Sequence, residues 1–238
     1  MTGPLKRVLI KLSGEALLAK DGFWLDAAVL SVLAKDIAGV AADGYQVVVV
    51  IGAGNIIRGA KFAAAGWIDR PTADSMGMLA TVINSLALES AIVAAGAPAL
   101  TMSAVATPSL CEIYARQTAL QHLSKERVVV LAGGTGNPFF TTDTSAVLRA
   151  AELGCDAVLK ATQVDGVYST DPKRDPNAVR YERLSHDEAI RLDLKVMDTA
   201  AFALARESRM TIIVGSAHAP SSIGGILRGT DKSTVVSP

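Results

Sequence analysis

Gln46-Val47-Val48-Val49-Val50-Ile51-Gly52-Ala53-Gly54-Asn55-Ile56-Ile57-Arg58-Gly59 decides the fold class. A run that stays apolar on consecutive residues, with no polar alternation, reads as a strand covered on both faces. A glycine-rich loop follows at once, at the carboxyl end of the strand, where open α/β sheets hold their ligands. Comparable runs lie at Arg7 to Leu12, Val128 to Leu131, Ala157 to Lys160 and Thr211 to Val214. Between them the period changes to that of a helix. From Asp26, Val29, Val32, Leu33, Ile37 and Val40 recur at helical spacing, and Gly44 closes the segment. A second helix is predicted from Thr72 to Ala95, with Asp74 in its first turn and Met76, Leu79, Val82, Ile83 and Leu86 as its buried stripe. A third runs from Asp143 to Gly154, and a fourth opens on Ser185 with Glu188 at capping-box spacing. This alternation predicts an α/β three-layer sandwich, a mostly parallel central sheet with helices on both faces. The polar segment from Ser169 to Tyr181, with Pro172 and Pro176, reads as a long surface loop that can end in a strand, at the seam of two lobes.

The chain has 238 residues, half of them apolar, which fits one large domain or two lobes sharing a sheet. Its 23 basic and 23 acidic residues cancel, so no basic field is present to attract a nucleic acid. Cys111 and Cys155 are too few for a disulfide framework and lack zinc spacing, which points to a reducing cytoplasm. Lys6, Arg7 and Lys11 interrupt the first apolar stretch, so no signal peptide is read there. The dense apolar stretch Ala91 to Leu100 holds Gly96 and Pro98 and falls short of a membrane span, so no membrane partner is expected. His122, His186 and His218 show no metal spacing, while Trp24 and Trp67 read as packing or interface anchors.

Four strand-end loops carry the chemistry. Lys11-Leu12-Ser13-Gly14-Glu15 offers a point charge and amides that an anion can approach, though a plain strand-end turn fits the same five residues. The loop from Gly52 lacks the third glycine of a dinucleotide fingerprint, and the chain has no GxxxxGK[ST] phosphate loop. What it does have is Arg58, whose planar fork suits phosphate oxygens. Gly133 to Asp143 combines glycines, hydroxyl and amide side chains and the pair Phe139-Phe140, and then delivers Asp143 at a helix start, either as a cap or beside an anion. Lys160 closes a buried strand, where a charge needs an anion or a route to water; Tyr168 could stack on a base, and Asp165-Gly166 reads as a turn. Asp198 reads as the N-cap of a helix from Thr199 to Glu207.

Taken in order, KLSGE (11–15), IGAGNIIRG (51–59), ADSMGMLATVINSLAL (73–88), GTGNPFFTTDT (134–144), LKATQVDGVYSTDP (159–172) and LKVMD (194–198) resemble the amino acid kinase family. The third and fourth blocks resemble its bacterial uridylate kinase branch, and the match spans nearly the whole chain. The resemblance implies the amino acid kinase fold over 1–238, with a UMP-binding lobe of about residues 1–155 and an ATP-binding lobe of about 156–238. It implies transfer of the γ-phosphoryl group of ATP to UMP, giving UDP and ADP, with Mg²⁺ carried on the ATP phosphates. Lys11, Asp143 and Asp198 are then catalytic; Lys11, Leu12, Ser13, Gly14, Ala53, Arg58, Thr162, Tyr168 and Asp171 bind ATP. Gly52, Asp74, Thr135, Gly136, Asn137, Pro138, Phe139, Phe140, Thr141 and Thr142 bind UMP, with Asp74 accepting hydrogen bonds from ribose hydroxyls. Lys160 or Lys195 assists, and the sequence does not choose between them. The family also implies a homohexamer, GTP as activator and UTP as inhibitor.

The chain departs from the family in three places. Ala53 stands where glycine is common, Trp24 replaces a small residue in the segment from Ala19 linked with GTP, and Gly215 to Pro220 replaces the usual tail motif. Two other readings use the same residues: a kinase of this fold acting on a carboxylate or carbamate, and a nucleotide-binding regulatory or storage protein without turnover.

Overall fold

The computed structural model describes residues 5–57, 66–172, 174–194, 196–217 and 222–238. Arg58, Lys195, His218, Ala219 and Pro220, all singled out above, lie outside the described residues. Five strands fall where the apolar runs predict them: β1 (Arg7–Leu12), β2 (Gln46–Ile51), β5 (Val128–Ala132), β6 (Ala157–Thr162) and β10 (Thr211–Ser216). Six more complete the set: β8 (Arg180–Tyr181), at the end of the polar segment, and β3 (Ala99–Ser103), β4 (Glu112–Ile113), β7 (Val167–Tyr168), β9 (Arg183–Ser185) and β11 (Ser233–Ser237), which the sequence does not mark. The dense apolar stretch at 91–100 divides between the end of a helix and the start of β3.

Nine strands form one sheet in the order β4-β3-β5-β2-β1-β6-β10-β11-β9. Every pairing in it is parallel except β10 with β11. β7 and β8 form a separate antiparallel ribbon that pairs the two ends of the predicted polar loop.

The helices among the described residues are α1 (Ala27–Ala42), α2 (Arg70–Ala94), α3 (Arg116–Ser124), α4 (Thr142–Leu153), α5 (His186–Arg191), α6 (Thr199–Glu207) and α7 (Ile223–Arg228). Successive side chains of β1 supply both cores. Val8, Ile10 and Leu12 pack with α1, α2 and α7, while Leu9 packs on the other face with α4 and α6. Two buried faces are what make the central strands uninterrupted in apolar character. Asp26 caps α1 by accepting from Ala28 and Val29, and Ser185 and Glu188 form the expected capping box of α5. α4 is capped by Thr141, so Asp143 sits inside the first turn and keeps its carboxylate for other partners.

The predicted stripe of α2 holds in part: Val82 is buried and Met76 and Leu86 are half-buried. Leu79 and Ile83 are each 48% exposed, and the buried residues of the helix also include Ala73, Ala80, Leu88 and Ile92 together with Thr81, Asn84 and Ser85. Small residues on its covered side let this helix lie against β3 and β5, with Leu79 and Ile83 on the outward side. By length and composition alone α2 could cross a membrane. Trp67 is almost wholly exposed among the described residues, whereas Trp24 is half-buried beside Phe23. Cys155 is buried, which pushes its thiol up to about 12, and Cys111 is only partly covered.

His186 opens α5 and is buried, and neither ring nitrogen finds a hydrogen bond of normal geometry among the described residues. Burial lowers its pKa below the ordinary 6.5, against the opposing pull of the Met210 backbone and Asp187. Below about pH 6.5 the unfolded chain therefore takes up a proton that the folded chain resists, and stability falls with pH by up to about 1.4 kcal/mol per unit. Urea titrations between pH 7.5 and 5 are expected to show this slope, and His186→Leu is expected to flatten it; an unchanged slope would remove His186 as its source.

Candidate active site

β1, β2, β5 and β6 all point their carboxyl ends at one rim, and their following loops meet there because parallel strands share a direction. Gly14 lies against the loop after β2 so closely that a Cβ there would come within 2.5 Å of Asn55 Oδ1 and closer still to the Gly52 carbonyl oxygen. Gly52 N donates to Leu12 O at 3.0 Å, tying the two loops together. Gly14→Ala is expected to force the loops apart and lower turnover by at least tenfold, as steady-state kinetics would show; wild-type kinetics would mean the loops do not need this contact.

Lys11, only 7% exposed, ends in an ion pair of 2.7 Å with Asp143 Oδ1. Lys160 meets the other carboxylate oxygen at 2.6 Å and also donates to the Val196 carbonyl oxygen. β1 and β6 are neighbours with Lys11 opposite Lys160, so the sheet register itself sets the two ammonium groups side by side. Burial raises the pKa of Asp143, but the charges of Lys11 and Lys160 together outweigh it and hold the carboxyl below its ordinary range. For Lys160, burial depresses the pKa against the attraction of Asp143.

Asp198 caps α6 by accepting from Ala201 N at 2.9 Å. The same carboxylate accepts from Thr144 Oγ1 at 2.9 and 3.1 Å and from the Thr141 hydroxyl. It thus ties the start of α4, which carries Asp143, to the start of α6.

Two cavities meet at Lys11. The larger, about 510 Å³, is walled by Ser13, Gly14, Gly52 and Ala53 on one side and by Asp74, Thr135, Asn137, Phe140, Thr141 and Thr142 on the other. The smaller, about 240 Å³, is bounded by Lys11, Ser13, Glu15, Lys160 and Thr162. Lys11, Ser13 and Glu15 border both.

Some expected residues stand elsewhere. Leu12 is buried in the core with α1, so only its backbone reaches the site. Gly136, Pro138 and Phe139 do not line the larger cavity, and Tyr168 and Asp171 line neither. Tyr168 instead donates to Asp165 Oδ1 at 2.5 Å, and Asp171 meets Arg174 at 3.5 Å. Asp74 lines the larger cavity, but its carboxylate already has donors: Arg70 Nε at 2.9 and 2.8 Å and Phe139 N at 2.8 Å. Phe139 takes a left-handed φ of 73°, which costs a residue with a side chain, and the Asp74 contact helps hold it there.

Sequence reasoning missed Arg149. Buried on α4, it pairs with Glu152 at 2.8 Å, stacks on Tyr114 at 4.1 Å and turns Nη2 toward the Gly134 and Thr135 carbonyls at 3.5 and 3.4 Å. Thr81 was missed too. Its hydroxyl accepts from Gly133 N at 2.8 Å, supporting the same loop from α2.

The amino acid kinase family model matches residues 6–216. The chain belongs to the amino acid kinase family. This amino acid kinase is 58% identical over 235 residues to the uridylate kinase of Azorhizobium caulinodans, covering 99% of this chain and 98% of that one. It is 54% identical over 236 residues to the uridylate kinase of a Chelativorans species, covering 99% and 95%. Among solved structures, the UMP kinase of Ureaplasma parvum superposes with a TM-score of 0.93 at 37% identity, covering 99% of this amino acid kinase and all of that chain. The UMP kinase of Bacillus anthracis gives 0.94 at 38% identity, covering 99% and 97%.

Proposed function

We propose that this chain is a UMP kinase, moving the γ-phosphoryl group of ATP onto UMP to give UDP and ADP in pyrimidine nucleotide synthesis. The observation that carries this reading is Lys11 standing where a nucleotide-sized cavity and a second, smaller one meet, its charge held by Asp143. The relatives named above point the same way. In this reading UMP occupies the larger cavity, lined only by residues before 155, and the ATP phosphates enter the smaller one, which Lys160 and Thr162 help to bound; Gly14 and Ala53, expected at ATP, line the UMP side instead. Lys160 and Thr162 on one side of the smaller cavity, with Lys11 and Ser13 on the other, support a two-lobe division near residue 155.

The acceptor phosphate is ionised at neutral pH and needs no general base, so the protein's task is alignment and charge neutralisation. Lys11 and Lys160 face the transferring group. Asp143 pairs with both and aims them, and Asp198 secures the helix start on which Asp143 sits. Between Lys160 and Lys195, the contact of Lys160 with Asp143 favours Lys160.

Mg²⁺ suits this site as an ion carried by the nucleotide. No group of three His, Cys, Asp or Glu side chains among the described residues could cage a metal, and Asp143 and Asp198 are already engaged. When bound, the ion neutralises phosphate charge.

An ADP-release assay across UMP, CMP, acetylglutamate, aspartate and carbamate, with and without Mg²⁺, tests the reading. UMP is expected to give the highest kcat/KM, and preference for a carboxylate or carbamate would overturn it. Tight binding of both nucleotides without UDP formation would favour the non-catalytic reading instead.

A homohexamer in the cytoplasm, activated by GTP and inhibited by UTP, belongs to the same proposal. The outward Leu79 and Ile83 of α2 and exposed Trp67 offer apolar surface for contact between copies. Equilibrium sedimentation tests the assembly, and a stable monomer at working concentration would count against it.

A further inference from the structure

The side chain of Asn84, in the middle of α2, is fully buried, yet every one of its polar atoms is used. Its Nδ2 donates to the Gly52 carbonyl oxygen at 2.7 Å and to Asn55 Oδ1 at 2.8 Å. Asn55 Nδ2 returns a hydrogen bond to Asn84 Oδ1 at 3.1 Å and reaches the Trp24 carbonyl oxygen at 2.7 Å. Two amides thus face each other and bind three separate segments: the loop after β2, α2, and the chain entering α1. The Gly52 residue is held at both polar ends, its N–H by Leu12 O and its C=O by Asn84. Against that same carbonyl lies Gly14, so its position sets the distance between the two loops that flank Lys11.

We propose that Asn84 is a positioning residue for phosphoryl transfer, holding the Gly52–Asn55 turn, directly and through Asn55, in register with the Lys11 loop. It touches neither nucleotide cavity, so it acts on the geometry of reaction rather than on substrate affinity. Orientation is a steep contributor to turnover, and a displacement of about 1 Å is worth on the order of 100-fold. The inference rests on the UMP kinase reading for its catalytic consequence and on the hydrogen bonds alone for its structural one.

The test compares Asn84→Leu with Leu88→Ala, a fully buried position on the same helix that contacts neither loop among the hydrogen bonds described. Both are expected to lower the thermal midpoint. Only Asn84→Leu is expected to lower kcat by about 10- to 100-fold, with KM for UMP and ATP within about threefold of wild type, at a temperature where both variants are folded. Amide hydrogen exchange is expected to quicken at residues 52–57 in Asn84→Leu and to stay at wild-type rates there in Leu88→Ala. If Asn84→Leu does not fold, Asn55→Ala cuts the same amide pair from the loop side and carries the same expectations. Retained kcat, an equal loss in Leu88→Ala, or unaltered exchange at 52–57 would overturn the proposal. If the wild-type chain forms no UDP, the functional reading falls, and the exchange measurement still decides whether Asn84 holds the turn.

Discussion

Lys11→Ala is expected to lower kcat for UDP formation by on the order of 100- to 1,000-fold, the usual cost of removing one preorganised charge from a transition state. UMP binding is expected to survive, since the larger cavity keeps its walls from the loop after β2, α2 and the loop after β5. The fold is also expected to survive, because Asp143 retains Lys160 at 2.6 Å as its partner. Lys11→Met, closer in length, separates lost charge from lost packing and is expected to match the alanine variant. Stopped-time UDP assays beside calorimetric UMP titration make the measurement. Turnover within a few-fold of wild type would remove Lys11 from the reaction.

Asp143→Asn attacks the same group from the other side. The wild-type arrangement is cation, anion, cation, each well covered, and the carboxylate lets two ammonium groups share one buried spot. An amide leaves those two charges without their counter-charge, and losing one member of a buried ion pair costs about 3 kcal/mol or more. For a chain of this length that corresponds to a fall of roughly 6 to 12 °C in thermal midpoint. Turnover is expected to drop by at least 100-fold as the lysines lose their aim. The acid limb of stability should change as well. Because Asp143 ionises below its ordinary range when folded, its contribution is present above about pH 4 and is lost as pH falls toward its lowered folded value. Asp143→Asn removes that part of the slope. A variant with wild-type midpoint and wild-type activity would show that the carboxylate holds nothing.

Much of this arrangement is legible in the sequence alone, and the reason is physical. Strands buried on two faces, such as β1 and β2, have little choice but to be apolar throughout, so they stand out from a single sequence. β4 and β9 run two and three residues, and β11 mixes polar with apolar positions, so no period marks them. α2 is apolar on two sides, so bulk alone does not mark its covered face: Leu79 and Ile83 face outward while Ala80 and Ser85 are buried. Asn84 falls at helical spacing between Ala80 and Leu88, which is the trace it left, but a polar residue there looks the same whether it meets water or a buried carbonyl. Lys11 was legible as a charge at a strand end; that Lys160 shares its carboxylate needed the β1–β6 register. Asp198 was legible as a cap, whereas its grip on Thr141 and Thr144 came only from the approach of two helix starts.

β1 borders β2 on one side and β6 on the other, and these partners lie about 40 and 150 residues further along the chain. A ribosome therefore releases Lys11 long before the second neighbour of its strand exists, and an emerging N-terminal half shows an unpaired central edge to its surroundings. Fragments that stop short of Ala157 should stick to one another or recruit chaperones, and refolding of the whole chain should be slowed by the closure of that distant contact. The placement that joins the two lysines thus delays assembly of the centre until most of the protein has been made.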